Sequence, residues 1–161
     1  LWRTAIDEGY DRVFVGKAFH TIDEKGRLVL PSSFRRVLEG DGDHKTCVLT
    51  RSTDGCLMLF RPPDFQRQAD ELIAAATTPL GRRKLRTFTA NADHLALDKA
   101  GRLIVNEELR RFAAITLGEE VAIVGMYDRA EIWNREAYLV TAAKGDSEFL
   151  DVEEEGEDSP A

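Results

Sequence analysis

The sequence is short of the residues from which disulfide-rich, metal-binding and nucleophilic sites are built. Its 161 residues include only two cysteines, Cys47 and Cys56, and three histidines, His20, His44 and His94. Two cysteines are too few for a disulfide framework or a zinc knuckle, so we expect reduced, partly buried thiols. The histidines follow no metal-ligand or nucleophile spacing, and no phosphate-cradling glycine loop accompanies them. We therefore predict no catalytic residues, no metal and no cofactor.

Long hydrophobic runs are absent as well. No stretch approaches the roughly 18 apolar residues that a membrane-spanning helix needs, and no basic-then-apolar segment indicates secretion. With 43% hydrophobic and 32% charged residues, the composition is typical of one globular domain or of two small ones. We expect a cytoplasmic protein with no membrane partner.

Positive charge is in deficit, but the deficit is confined to one end of the chain. The formal net charge is -7, from 22 basic and 29 acidic residues. Residues 144–161 hold one basic residue, Lys144, against eight acidic ones, which leaves 21 of each sign in residues 1–143. We predict a solvated, disordered acidic tail over 144–161. A tail that competes with DNA for a basic surface is the alternative interpretation. Either way, the net charge does not exclude a body that binds nucleic acid.

The chain contains an internal repeat. Residues 23–36 read DEKGRLVLPSSFRR, and residues 98–111, which lie 75 positions later, read DKAGRLIVNEELRR. Six of the fourteen aligned positions are identical and three more keep apolar character. Such agreement indicates a tandem duplication, and therefore two halves of similar fold.

The same order of elements is predicted in both copies. A strand leads into a turn at Gly26 or Gly101, because glycine tolerates the positive φ of a tight turn. A short strand, a short helix and a pair of strands follow, and further helices are predicted from about Asp64 and Arg135. Another helical piece over 80–88 carries a basic cluster, interpreted either as a solvated face or as a phosphate-contacting surface: Arg82, Arg83, Lys84 and Arg86.

The two turns contain the candidate binding residues. The first exposes Lys25, the Gly26 backbone and Arg27, a compact positive group for phosphates or base edges. Arginine pairs bidentately with guanine, whereas lysine is a point charge suited to phosphate. Asp23 lies close enough to orient the guanidinium of Arg27, or to close the turn as a structural salt bridge, and both roles are compatible. The corresponding residues of the second turn are Asp98, Lys99, Gly101 and Arg102.

These residues resemble the MraZ family, the transcriptional regulators of the division and cell-wall gene cluster in bacteria. The resemblance covers roughly residues 13–143 and rests on three segments, FVGKAFHTIDEKGRLVLPSSFRR, ANADHLALDKAGRLIVNEELRRFA and AEIW. It implies an α+β fold of tandem SpoVT-AbrB-like repeats that form a swapped-hairpin β-barrel with peripheral helices. It also implies ring-shaped homo-oligomers that bind direct repeats in double-stranded promoter DNA, and hence a nucleoid-associated location.

The resemblance divides the chain into five parts: an N-terminal extension (1–12), a first repeat (13–60), a helical linker (61–89), a second repeat (90–143) and the acidic tail (144–161). The second repeat departs from the first at two positions. Ala100 replaces Lys25, with the nearest basic residue moved to Lys99, and Asn106 replaces Pro31. We therefore expect uneven DNA contacts, with the first turn the better equipped.

We predict a sequence-specific DNA-binding transcriptional regulator with no small-molecule substrate. The alternative is an oligomeric module that binds another protein and no DNA. Trp133, Tyr138 and Leu139 fit either subunit contacts or ordinary core packing. An enzyme is disfavoured, because Asp93 and His94 are neighbours in sequence, and such neighbours rarely converge on a catalytic pair.

Overall fold

Strands and helices follow one another in the same order in both repeats, as the duplication predicts. The structure, a computed structural model, describes residues 13–39 and 45–157, and side chains as far as Asp151. The strands are β1 (Lys17–Thr21), β2 (Arg27–Val29), β3 (Thr46–Arg51), β4 (Leu57–Phe60), β5 (Asp93–Ala96), β6 (Arg102–Ile104), β7 (Glu120–Gly125) and β8 (Ala130–Asn134). The helices in this part are α1 (Ser32–Glu39), α2 (Pro62–Ala74), α3 (Pro79–Ala90), α4 (Glu107–Phe112) and α5 (Arg135–Glu157). The predicted α+β class is confirmed.

The main sheet is shared between the repeats. Its order is β1-β7-β8-β4-β3-β5, and every pairing is antiparallel. The first strand of each repeat pairs with the hairpin of the other, since β1 lies beside β7 and β5 lies beside β3. Within the described ranges neither sheet closes on itself, so the β-barrel implied by the resemblance is not confirmed.

Strands β2 and β6 form a separate antiparallel ribbon at the centre of the duplication. Leu28 pairs with Leu103, and these are equivalent residues of the two repeats. An approximate twofold axis therefore passes between them. Both leucines are fully buried, and because side chains alternate along a strand, their neighbours point to the opposite, outer face. The ribbon places the first and second turns at its two ends.

The core packs the ribbon and the short helices against the main sheet. Helix α1 buries Phe34, Val37 and Leu38, the stripe that the sequence predicts. The Phe34 ring meets Phe14 edge to face, with centroids 5.3 Å apart. Each such large side chain contributes about 1.5–3 kcal/mol by leaving water. One large apolar cluster thus draws its residues from both repeats, while Met58, Phe60 and Phe88 form a smaller, separate cluster on β4 and α3.

The two cysteines and Trp133 belong to the interior. Cys47 and Cys56 are free and buried, and burial raises the pKa of each thiol to about 12. Trp133 packs with Cys56 and Ala122, while its indole N–H donates to Glu131 Oε1 at 3.0 Å. For Trp133, core packing is therefore the observed role.

Helix starts follow local capping chemistry, with one correction. Asn106 caps α4 as predicted, since its Oδ1 accepts the Leu109 N–H at 2.9 Å. Helix α2 begins at Pro62, before the predicted Asp64, because proline needs no N–H partner in a first turn. Asp64 is instead buried, and it forms 2.8 Å ion pairs with Arg61 and Arg67.

Helices α2 and α3 form a hairpin on the outer side of β3 and β4. Phe65 of α2 stacks on Phe88 of α3 at a centroid distance of 4.9 Å, and both rings meet Phe60 of β4. The Thr50 hydroxyl donates to the Phe88 carbonyl at 2.7 Å. The linker is thus anchored to the sheet through aromatic packing.

The acidic end is more ordered than predicted. Helix α5 runs from Arg135, the predicted start, to Glu157, so residues 144–157 are helical where the sequence predicted disorder; residues 158–161 lie outside the described part. Asn134 begins the helix by accepting the Ala137 N–H at 3.0 Å, and leucine, alanine and glutamate favour its continuation. Among the described residues, each helix is too short or too polar to span a lipid bilayer.

Candidate nucleic-acid interface

The first turn is held together by the carboxylate of Asp23. Its Oδ1 accepts the backbone N–H groups of Lys25 and Arg27, both at 2.9 Å. Its Oδ2 accepts Nε of Arg27 at 2.5 Å. Gly26 takes a φ of 77° and donates its N–H to the Asp23 carbonyl at 3.0 Å. One carboxylate therefore both closes the turn and fixes the direction of the arginine.

The second turn repeats this geometry despite its different residues. Oδ1 of Asp98 accepts the N–H groups of Ala100 and Arg102, both at 2.9 Å. Oδ2 accepts Nε of Arg102 at 2.7 Å, and Gly101 takes a φ of 75°. The predicted ion pair is thus present in both turns. The replacement of Lys25 by Ala100 removes a charge without changing the turn.

Hydrogen bonds keep the two turn carboxylates ionised. The backbone N–H of Arg27 is the main cause that lowers the pKa of Asp23 below its ordinary value of 3.8, and its guanidinium adds to the effect. Arg102 lowers the pKa of Asp98 in the same way. Because a carboxylate that accepts several N–H bonds favours its charged form, both ion pairs persist at neutral pH.

The two arginines share the outer face of the ribbon. Arg27 lies opposite Ile104, and Arg102 lies opposite Val29, which separates the arginines by about 7 Å along the strands. Each arginine side chain is one-third exposed. Within residues 13–39 and 45–157, Nε is engaged by aspartate in both arginines, while the terminal nitrogens have no partner. Val29 and Ile104 lie exposed between them.

The turns are tied to the opposite repeat through their glycines. The Gly26 carbonyl accepts the Val105 N–H at 2.9 Å, and the Gly101 carbonyl accepts the Leu30 N–H at 3.1 Å. Arg35 of α1 also lies over Gly101, where an added Cβ would overlap its side chain. The sequence does not predict this contact, because Arg35 and Gly101 lie far apart in the chain and no local pattern links them.

The other candidate residues lie elsewhere. Asp93 accepts Nδ2 of Asn106 at 3.0 Å, and His94, the next residue of β5, is exposed on the opposite face of the strand. They form no catalytic pair. No cluster of three or more histidine, cysteine, aspartate or glutamate residues within the described ranges is arranged to hold a metal ion.

The basic cluster of α3 lies at the surface. Arg82, Arg83, Lys84 and Arg86 are all exposed. Two of them, Arg83 and Lys84, border a groove of about 710 Å³ together with Arg51 and Arg129. The groove also has an apolar floor, to which Met58 and Phe88 contribute. This arrangement is compatible with both interpretations of the cluster.

Exchanged first strands and an Asp–Arg turn at each end of a central ribbon define a duplicated α+β protein. A family model described as "MraZ protein, putative antitoxin-like" matches residues 13–87 and again residues 88–157. The chain belongs to the MraZ family.

Two similar relatives carry the name "Transcriptional regulator MraZ" and come from Salinispora tropica and Salinispora arenicola. Each is 37% identical over 143 residues, which cover 88% of this chain and 96% of the relative. The family resemblance read from the two repeated segments is thereby confirmed.

Proposed function

We propose that the protein is a sequence-specific DNA-binding transcriptional regulator that acts in the cytoplasm, at the nucleoid. We further propose that its target is the promoter of the division and cell-wall gene cluster, bound through repeated elements by two SpoVT-AbrB-type halves. The observation that carries the proposal is the outer face of the ribbon. There, Arg27 and Arg102 each have a fixed Nε and unpartnered terminal nitrogens within the described part of the chain.

Fixed arginines suit base recognition. With Nε held by aspartate, the guanidinium of Arg27 or Arg102 presents its two terminal nitrogens end-on, and this pair can donate to O6 and N7 of guanine. Because the direction is set before binding, less side-chain entropy is lost. The backbone positions of the two arginines, about 7 Å apart along the ribbon, both fit within a major groove of about 12 Å. The exposed Val29 and Ile104 can meet thymine methyl groups there.

Lysines and backbone complete the proposed contact. Lys25 and Lys99 suit phosphates as point charges, and the backbone at Gly26 and Gly101 allows close approach because no side chain intervenes. Asp23 and Asp98 act through the arginines by orienting them.

We also propose that the protein works as a ring-shaped homo-oligomer. The body of the chain has equal numbers of basic and acidic residues, so one subunit would make few phosphate contacts. Several subunits on consecutive repeats raise the overall affinity through effective concentration. Exposed apolar residues on α5 provide area for such contacts: Leu139, Val140, Phe149 and Leu150.

The proposal is tested by binding at low salt to a duplex that carries short G-rich direct repeats, against a scrambled duplex. Wild-type protein is expected to prefer the repeats, and Arg27→Ala to lose that preference. Arg67→Ala is the matched control, since Arg67 lies on α2 and pairs with Asp64. Failure of the wild type to bind either duplex would contradict the proposal and favour a protein-binding module.

A further inference from the structure

The two turns differ in charge. The first, residues 23–27, contains two acidic and two basic residues and is formally neutral. The second, residues 98–102, contains one acidic and two basic residues and is formally +1. The difference arises because Glu24 and Lys25 are replaced by Lys99 and Ala100. The second turn is thus more positive, yet it has no cation at the position of Lys25.

Arg35 stands beside that vacant position. A Cβ built on Gly101 would overlap the Arg35 side chain at Cδ and Nη1. Nη1 of Arg35 also donates to the carbonyl of Ala100 at 3.4 Å. Arg35 belongs to α1 of the first repeat, so the first repeat supplies a guanidinium to the turn of the second.

The equivalent arginine of the second repeat is placed differently. Nε of Arg110 donates to the Val105 carbonyl of its own repeat at 3.0 Å. It approaches a Cβ built on Gly26 only to 3.7 Å. Lys25 already occupies the tip of this first turn, and a second cation there would be repelled. Arg110 is therefore bonded to the backbone just after β6 in its own repeat, away from the tip of the first turn.

The two flanking helices reinforce this asymmetry. Helix α4 begins with Glu107 and Glu108, and Glu107 pairs with Arg111 at 2.7 Å, so α4 carries no surplus positive charge. Helix α1 has no acidic residue in its first turn. Its surface borders a shallow groove lined by Ser32, Arg35, Arg36, Glu39 and Lys45. Lys45 pairs with Glu39 at 3.2 Å in this groove, so within the described residues the basic surface beside the second turn is that of Arg35 and Arg36.

We propose that Arg35 forms a DNA phosphate site with Lys99, beside the base-reading Arg102, and that it supplies from the other repeat the charge that Ala100 lacks. The proposal rests on the DNA-binding function proposed above. It makes the second turn a composite of both repeats and gives it the larger positive charge. Phosphates that follow the groove past Arg36 would extend the contact along α1.

The test measures the dependence of DNA affinity on salt, because each phosphate contact contributes about 0.9 to the slope of log K against log salt. Arg35→Ala is expected to bind all duplexes more weakly and to lower the slope by about 1. Arg35→Lys keeps the charge and should keep the slope. Arg110→Ala, the equivalent change in the other repeat, should leave the slope at the wild-type value.

A rescue variant tests whether Arg35 supplies the positive charge that is missing at Ala100. Adding Ala100→Lys to Arg35→Ala places a lysine where the first turn has Lys25, and should restore the lost slope. A wild-type slope in Arg35→Ala, an equal loss in Arg110→Ala, or no rescue by Ala100→Lys would overturn the inference. If the wild type prefers the repeats and Arg27→Ala loses that preference, these results leave the proposed function intact. If the wild type does not bind DNA, the proposed function fails first.

Discussion

At the scale of single residues, Asp23 and Asp98 contribute more to the shape of the turns than the sequence indicates. The sequence predicts the pairing of each aspartate with the arginine four positions later, because charge and spacing are local. It does not show that each carboxylate also accepts two backbone N–H groups. It cannot place Arg35 over Gly101, since that contact joins residues from different repeats.

Acid titration tests the two carboxylates. Their pKa values are lowered in the folded protein from 3.8. The stability they contribute is therefore complete above pH 3.8 and is lost as the pH falls through the lower folded pKa. Carbon-13 NMR should give titration midpoints below 3.8 for Asp23 and Asp98.

The corresponding stability measurement compares wild type with a variant that combines Asp23→Asn and Asp98→Asn. The wild type should be more stable at pH 7, and this advantage should shrink below pH 3.8 as its carboxylates become protonated. Asp146→Asn, on the exposed surface of α5, controls for the loss of negative charge alone. An advantage that is independent of pH would show that the ion pairs do not act through charge.

At the scale of elements, local capping patterns predict where helices begin, whereas amino-acid composition wrongly predicts that the acidic end is disordered. Asn106 caps α4 and Arg135 begins α5, as their sequence patterns indicate. The acidic run after Lys144 has the composition of a disordered tail, but α5 is already started by Asn134 and extends through it. Propagation of a formed helix costs less than its nucleation.

Replacing two helical glycines by alanine is expected to change the stability of the protein in opposite directions. A Cβ on Gly81 would overlap the carbonyl of Ala75 at the junction of α2 and α3, whereas a Cβ on Gly145 meets nothing within 4 Å. Gly81→Ala should lower the free energy of unfolding by about 1–3 kcal/mol through overpacking. Gly145→Ala should add up to about 1 kcal/mol to the free energy of unfolding, because alanine favours a helix more than glycine does. Chemical denaturation measures both variants. A Gly145→Ala variant that is less stable than the wild type would contradict a helical residue 145.

At the scale of the whole molecule, the repeats depend on one another. The duplication can be recognised in the sequence, but the pairing of the strands cannot. The spacing of apolar residues predicts which face of a strand is buried, and it does not predict which strand lies beside it. β1 pairs with β7, β3 with β5 and β2 with β6. The closed barrel implied by the resemblance is absent from the described residues, in which β1 and β5 form the sheet edges.

This exchange predicts the behaviour of separated halves. A fragment that ends at residue 87 lacks the strands that pair with β1 and β2, so it should not fold as a monomer. It should instead remain unfolded or self-associate through its own copies of those strands, and it should form a native-like complex when mixed with residues 88–161. Light scattering and circular dichroism distinguish these states. A stable, folded monomer of the first half would contradict the shared core.

Two oriented arginines on one ribbon, Arg27 and Arg102, are proposed to read the DNA sequence. This role is measured by the affinity ratio between a duplex selected by the wild type from random sequences and a scrambled duplex. The test compares wild type with a variant that combines Arg27→Lys and Arg102→Lys, with Arg67→Lys as the control.

Lysine keeps the charge but loses the bidentate fork. We therefore expect a similar salt slope and an affinity ratio reduced by about tenfold or more. An undiminished ratio in the double variant would show that these arginines do not read the DNA sequence.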